Sequence, residues 1–173
     1  MIEGKPIPTK EYLCVYKKNH FGSVHASYDS LESYLNLYIN FKLKAIDAKA
    51  QGLDRDSSYI NEVKTYEKAL HAQKKAGRRN ADYDLIMSEY KDAVLMFTLS
   101  EMKIWNTTQS NEDKLREFYS TNSDKYHQKA FEEVKDQVVI DYQAALEQEW
   151  IRELRKKYKV TVNTGELRKL AKQ

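Results

Sequence analysis

The fold class of this protein is decided by residues 30–50, which read SLESYLNLYINFKLKAIDAKA. Apolar residues recur there every three or four positions, the spacing that places side chains along one side of an α-helix. They form two adjoining stripes, which are Leu31, Tyr34, Tyr38, Phe41, Ala45 and Ala48, and Leu35, Ile39, Leu43, Ile46 and Ala50. Because more than half of the circumference is apolar, the pattern predicts a helix in the middle of a helical bundle.

The composition of the whole chain also favours an all-α fold. Only 5 Gly and 2 Pro occur among 173 residues, of which 41% are hydrophobic, so few residues interrupt regular structure. Such a composition is typical of long helices rather than many short strands. The length suits one domain, residues 1–173, which we divide into an N-terminal part, 1–75, and a C-terminal part, 81–173, joined by a polar and basic linker at 76–80.

Apolar periodicity predicts the remaining helices. They cover about residues 8–19, 57–74, 82–105, a short segment ending near 122, 130–158, and a last segment ending near 171. Asp29 has a glutamate three residues later, the spacing of a capping box that would begin the second helix. Gly52 is expected to end that helix in the left-handed conformation, Asp54 or Asp56 to cap the third, and Asn163 to cap the last.

Two short strands are predicted at opposite ends of the chain. Residues 2–7 tolerate the β conformation, and residues 159–162 alternate and are β-branched. Neither strand would be stable alone. We therefore expect a short two-stranded pairing of the N- and C-terminal segments that holds the termini together.

Charge and hydropathy exclude several partners. The 29 basic and 26 acidic residues leave a net charge of +3, too small to predict a nucleic-acid surface. No apolar run is long enough for membrane insertion, and the N-terminus lacks the pattern of a signal peptide. The basic run at 152–159 would suit a polyanion, but cations at the end of a helix also stabilise its dipole, and this second interpretation is favoured.

No chemistry-bearing motif is found in the sequence. The four histidines, His20, His25, His71 and His127, lack a set of neighbouring ligands at helical spacing, so no metal site is predicted. Phosphate-binding glycine loops and nucleophile motifs do not occur. We accordingly predict no catalytic residue and no cofactor.

Aromatic residues are the most informative feature for function. The chain has 13 Tyr, 5 Phe and 2 Trp, and those left over from the core would suit the rim of a groove that binds unfolded, apolar peptides. The candidate peptide-binding residues are Tyr34, Tyr38, Phe41, Phe97, Trp105, Tyr142 and Trp150.

The order of segments resembles a known family. Residues 31–54, 89–105, 131–142 and 149–158 are similar to the core of SurA-like peptidyl-prolyl isomerases, particularly those of the Bacteroidetes type. The resemblance implies a multi-helix chaperone core in the periplasm, from an exported protein, that binds unfolded outer-membrane or exported polypeptides as a foldase. The small net charge independently argues against a nucleic-acid partner.

The chain departs from that family at two short joints. The parvulin domains that carry isomerase activity are inserted in the family between the N-terminal helices and the C-terminal segment. Here residues 74–80 and 123–129 offer seven residues each, too few for such a domain. The resemblance thus implies a core without its catalytic insertions. Two alternatives stay open, a prolyl isomerase with an unrecognised site, and a non-catalytic helical dimerisation module whose groove is filled by a second copy.

Overall fold

The computed structural model describes residues 1–20, 26–75 and 83–171, except the side chains of residues 73–75. The described chain is all-helical, as the composition predicted. Its helices are α1 (Thr9–Asn19), α2 (Tyr28–Ala50), α3 (Ser57–Lys75), α4 (Tyr83–Ser100), α5 (Asn106–Gln109), α6 (Glu112–Thr121), α7 (Phe131–Lys157) and α8 (Thr164–Leu170). Short 3-10 turns lie at Leu53–Arg55 and Ser123–Tyr126, and a π-helical turn covers Glu101–Trp105.

Helix α2 begins earlier than the sequence pattern indicated. Ser27 is its N-cap, and the Ser27 hydroxyl accepts a hydrogen bond from the backbone N–H of Ser30 at 3.1 Å. The prediction of a cap at Asp29 is wrong because Asp29 lies inside the first turn, where its charge favours the positive end of the helix dipole. The other predicted caps are confirmed at Gly52, Asp56 and Asn163.

The helical backbone after α4 continues beyond its predicted end. The π turn and α5 follow α4 directly, so residues 106–109, which lie beyond the predicted helix end at about 105, are also helical. Thr108 is almost fully buried, and its hydroxyl accepts a hydrogen bond from Nε2 of Gln143 at 2.9 Å. This tertiary contact overrides the weak helix propensity of the segment.

The chain forms two compact units. Unit 1 consists of Met1–Met96 with Leu154–Gln173, and unit 2 consists of Phe97–Glu153, so the boundaries fall within α4 and α7. The predicted linker at 76–80 lies outside the described residues. The division into parts 1–75 and 81–173 therefore stays a prediction.

The main core of unit 1 is rich in tyrosine. It joins α1, α2 and α8 through Tyr12, Val15, Tyr16, Leu31, Tyr38 and Leu167. The Tyr12 hydroxyl donates to the backbone oxygen of Leu31 at 2.6 Å. Each ring thus buries a large apolar surface while its hydroxyl still finds an acceptor. A second core cluster of unit 1 packs Val63 and Leu70 of α3 against Met87 of α4.

Buried charges link three helices of unit 1. The Lys42 ammonium on α2 lies 2.8 Å from Glu11 on α1 and 2.8 Å from Asp92 on α4. Lys49, about two turns further along α2, also contacts Asp92 at 2.6 Å. Lys42 and Asp92 are buried and Glu11 is half-buried, whereas Lys49 is more exposed. The pairs of Lys42 therefore connect the three helices through charges that are largely out of water.

The basic run at 152–159 contacts helix α2 within unit 1. Arg155 donates to the side-chain oxygen of Asn40 at 2.7 Å, and Lys157 contacts Asp47 at 2.7 Å. The hydrogen bond to Asp47 raises the pKa of Lys157. These contacts favour the structural interpretation of the run over a polyanion site.

Unit 2 has its own core around the start of α7. Leu115, Tyr126, Phe131 and Val138 are buried together there. The Arg116 guanidinium lies 4.2 Å from the ring centroid of Phe131 and also contacts Glu112 at 2.7 Å and Glu132 at 2.6 Å. A cation above an aromatic face, paired on both sides with carboxylates, closes one side of this core.

The prediction of two paired terminal strands is wrong, although the two terminal segments do contact each other. Within the described residues there is no strand, and Ile2 forms a single antiparallel bridge with Val160. The N–H of Thr161 donates to the backbone oxygen of Met1 at 2.9 Å. The ladder stops there because residues 3 and 4 both adopt positive φ and turn the chain away after Ile2.

Candidate peptide-binding surfaces

Unit 1 carries an open, mostly apolar groove of about 600 Å³. Its floor includes Ile2 and Ile39, which are buried, and its rim includes Val162, which is 42% exposed. The lining residues are Met1, Ile2, Pro6, Ile7, Thr9, Tyr12, Leu35, Tyr38, Ile39, Val160, Thr161, Val162, Asn163, Thr164, Glu166, Leu167 and Leu170. The groove therefore offers an apolar surface with one carboxylate side chain, that of Glu166.

The walls of the groove come from both ends of the chain. The segment before α1 contains two prolines, which restrict it to extended backbone. On the other side, the Asn163 side chain accepts from the N–H of Glu166 at 3.2 Å and so begins α8. Helix α8 then brings Leu167 and Leu170 to the groove. The terminal contact between Met1 and Thr161 holds the two walls in place.

Two tyrosines on the floor carry neutral hydroxyls. Burial raises the pKa of Tyr12, and the neighbouring Tyr16 raises it further. Burial and a hydrogen bond to Glu11 raise the pKa of Tyr38, whose hydroxyl donates to Oε1 of Glu11 at 2.6 Å. Both phenols thus stay protonated at neutral pH, and the floor presents rings rather than charges to a ligand.

Unit 2 carries a separate apolar surface, which we call the aromatic face and define as Phe97 and Trp105. These side chains are 54% and 37% exposed. The ring centroids of Phe97 and Trp105 are 6.1 Å apart and the rings are tilted by 44°. Exposed apolar residues that cluster in this way mark an interaction site more often than single ones do.

The π turn brings the two rings of the aromatic face together. Eight residues of an ideal α-helix leave two side chains offset by about 80° around the axis. The N–H of Asn106 donates to the backbone oxygen of Glu101, five residues earlier, which rotates the chain by less per residue. Trp105 consequently turns back toward the side that carries Phe97. Such π turns are frequent at functional sites.

The structure separates the seven predicted peptide-binding residues into different environments. In unit 1, Tyr38 lies on the floor of the groove, whereas Tyr34 and Phe41 are half-buried beside the tyrosine core. In unit 2, Phe97 and Trp105 are exposed neighbours. The other two pack inward, Tyr142 against Phe118 and Trp150 in a buried position beneath Lys103.

Several groove residues were missed by sequence reasoning. The sequence pattern predicts Ile2, Ile7 and Val160 in a strand pair and Leu167 and Leu170 only in a terminal helix, whereas all five line the groove. The alternation at 160–162 was the available signal, because a β-branched segment at the edge of a domain is suited to line a groove as well as to form a strand.

A second cavity in unit 1, of about 370 Å³, is polar. It is lined by Lys49, Asp54, Tyr59, Ile60, Val63, Lys64, Ser88, Lys91 and Asp92. Each carboxylate oxygen of Asp92 holds an ammonium group, from Lys42 at 2.8 Å and from Lys49 at 2.6 Å. Because both oxygens of Asp92 already pair with ammonium groups, this carboxylate is not available as a general base. The residues of the cavity therefore favour a structural role over proton transfer.

Among the described residues, no group of three His, Cys, Asp or Glu side chains could hold a metal ion. The described helices also include none with the length and apolar character to span a membrane. A comparison of the chain with family models, curated proteins and solved structures found no match.

Proposed function

We propose that this protein is the chaperone core of a SurA-like foldase that holds unfolded outer-membrane or exported polypeptides in the periplasm, without nucleotide or cofactor. The observation that carries the proposal is the open apolar groove of unit 1. Its volume of about 600 Å³ and its lining of aliphatic and tyrosine side chains suit an apolar segment of any sequence, because apolar contacts are not directional.

The form of the groove supports an extended ligand. Residues 160–163 lie in extended or irregular backbone along one wall, and residues 6–7 lie along the other. A peptide between these walls would place alternate side chains on the buried floor and in solvent. This is the pattern of a β-barrel strand with one apolar side, which agrees with the class of client that the family resemblance implies.

An aggregation assay tests the proposal. We expect the full chain, at several-fold molar excess, to suppress light scattering by an unfolded β-barrel client. Val162→Glu should weaken client binding by about tenfold, because a charge at the rim replaces roughly 1.4 kcal/mol of apolar contact. Leu37→Glu is the matched control, since Leu37 is on α2, is 65% exposed and does not line the groove. The proposal would be contradicted if Val162→Glu suppressed client aggregation as fully as the unaltered chain, or if the unaltered chain did not suppress it at all.

Two further measurements separate the alternatives. A protease-coupled assay on a proline peptide should give only the uncatalysed rate, whereas a prolyl isomerase would accelerate it. Sedimentation over a range of concentrations should give a monomer that binds clients. A stable dimer without client binding would instead favour the dimerisation module.

A further inference from the structure

The two units have opposite net charges. Unit 1 contains 22 basic and 14 acidic residues, a net charge of +8, whereas unit 2 contains 7 basic and 12 acidic residues, a net charge of −5. The total of +3 conceals this difference. The charge of unit 2, taken by itself, favours cationic segments over anionic ones.

A carboxylate lies midway between the two residues of the aromatic face along the helical backbone. Glu101 is exposed and lies four residues after Phe97 and four before Trp105. It is also the residue whose backbone oxygen accepts the π-turn hydrogen bond. Two aromatic rings and a carboxylate are a combination that favours a cation next to an apolar group, through ion pairing and contact with the ring faces.

We propose that the aromatic face binds client segments in which a lysine or arginine lies beside an apolar side chain. This inference rests on the proposed function and adds a second, charge-selective surface to the groove. Phe97 and Trp105 contact the apolar side chain, and Glu101 pairs with the cation. The remaining negative charge of unit 2 raises the rate of encounter with such segments.

Fluorescence anisotropy of two labelled peptides tests the inference on the full chain. Both peptides have the same alternating apolar sequence and differ only in one central position, which is Lys in one and Glu in the other. We expect the Lys peptide to bind about fivefold more tightly, as expected when an exposed attraction replaces a repulsion. High salt should reduce the preference.

Charge reversal at one residue separates local recognition from the overall charge. Glu101→Lys should reverse the preference between the peptides. Glu117→Lys changes the charge of unit 2 by the same amount at an exposed position on α6 and should leave the preference in place. Phe97→Ser should weaken both peptides alike, and circular dichroism checks that each variant is folded.

Equal binding of the two peptides, or reversal by Glu117→Lys as strong as by Glu101→Lys, would overturn the inference. If aggregation of the β-barrel client is still suppressed in that case, the proposed function stands and only the charge selectivity fails. If neither peptide binds and the client also aggregates, both fail. A concentration-dependent dimer that Glu101→Lys dissociates, without peptide preference, would assign the face to a second copy of the chain.

Discussion

The side-chain nitrogen of Lys42 lies 2.8 Å from Oδ2 of Asp92, although 50 residues separate the two along the chain. Side-chain exposure is 11% for Lys42 and 9% for Asp92, so the pair is held largely out of water. Removal of one partner from such a pair leaves the other charge buried without its full compensation. Breaking this pair between α2 and α4 is therefore expected to cost more stability than breaking a surface ion pair.

Loss of the Lys42 charge is expected to destabilise unit 1 strongly. Lys42→Met keeps most of the side-chain volume but leaves Glu11 and Asp92 without a shared cation, and we expect a loss of about 3 kcal/mol in the free energy of unfolding. Lys18→Met is the control, because Lys18 is exposed and its pair with Glu89 should contribute less than about 1 kcal/mol. Urea denaturation measures both, and equal effects would contradict the assignment.

Alkaline pH is expected to destabilise the fold in part through Tyr126. Burial, followed by the hydrogen bond to Asp141, raises the pKa of Tyr126 from 10.0 to about 12. Between these values the unfolded chain has lost the phenol proton and the folded chain keeps it, so stability falls as pH rises from about 10 to 12. Below that range the contribution is fully present.

Tyr126→Phe tests this assignment. The variant should lose about 1.5 kcal/mol at neutral pH, because the hydrogen bond to the Asp141 carboxylate is absent. Its stability should then fall less steeply than that of the unaltered chain as pH rises above about 10. Urea denaturation at a series of pH values measures both effects, and identical slopes would show that another group titrates.

The cap of α8 is expected to control one wall of the groove. Asn163→Ala removes the acceptor for the N–H of Glu166 and should cost about 1 kcal/mol, whereas Asn163→Asp keeps the acceptor. Hydrogen exchange of the α8 amides should become about fivefold faster in Asn163→Ala only. Unchanged exchange would mean that packing of Leu167 alone holds the helix.

Helices could be predicted well where neighbouring residues decide them. The two apolar stripes of α2, the left-handed Gly52 and the cap at Asn163 all depend on residues within about one turn of each other. The helical segment at 106–109 could not be predicted from local sequence, because Thr108 is held by a hydrogen bond from Gln143, 35 residues away. The π turn at Glu101–Trp105 has no local signal in the sequence either.

The candidate surfaces were only partly predictable. Aromatic character predicts Phe97, Trp105 and Trp150 alike as peptide-binding residues, yet Phe97 and Trp105 are exposed and Trp150 is buried. Residue type alone does not distinguish them, since an aromatic ring is equally suited to a core and to a binding surface. Their exposure depends on which helices cover each ring.

The helical character of the chain and the ends of most helices follow from side chains three or four positions apart, so they can be predicted from local sequence. The contacts of Ile2 with Val160 and of Lys42 with Asp92, and the groove of unit 1, depend instead on tertiary packing. Such contacts join segments that are far apart in the chain. They form only when the packing of many side chains together outweighs the entropy lost on closing the long loops between them.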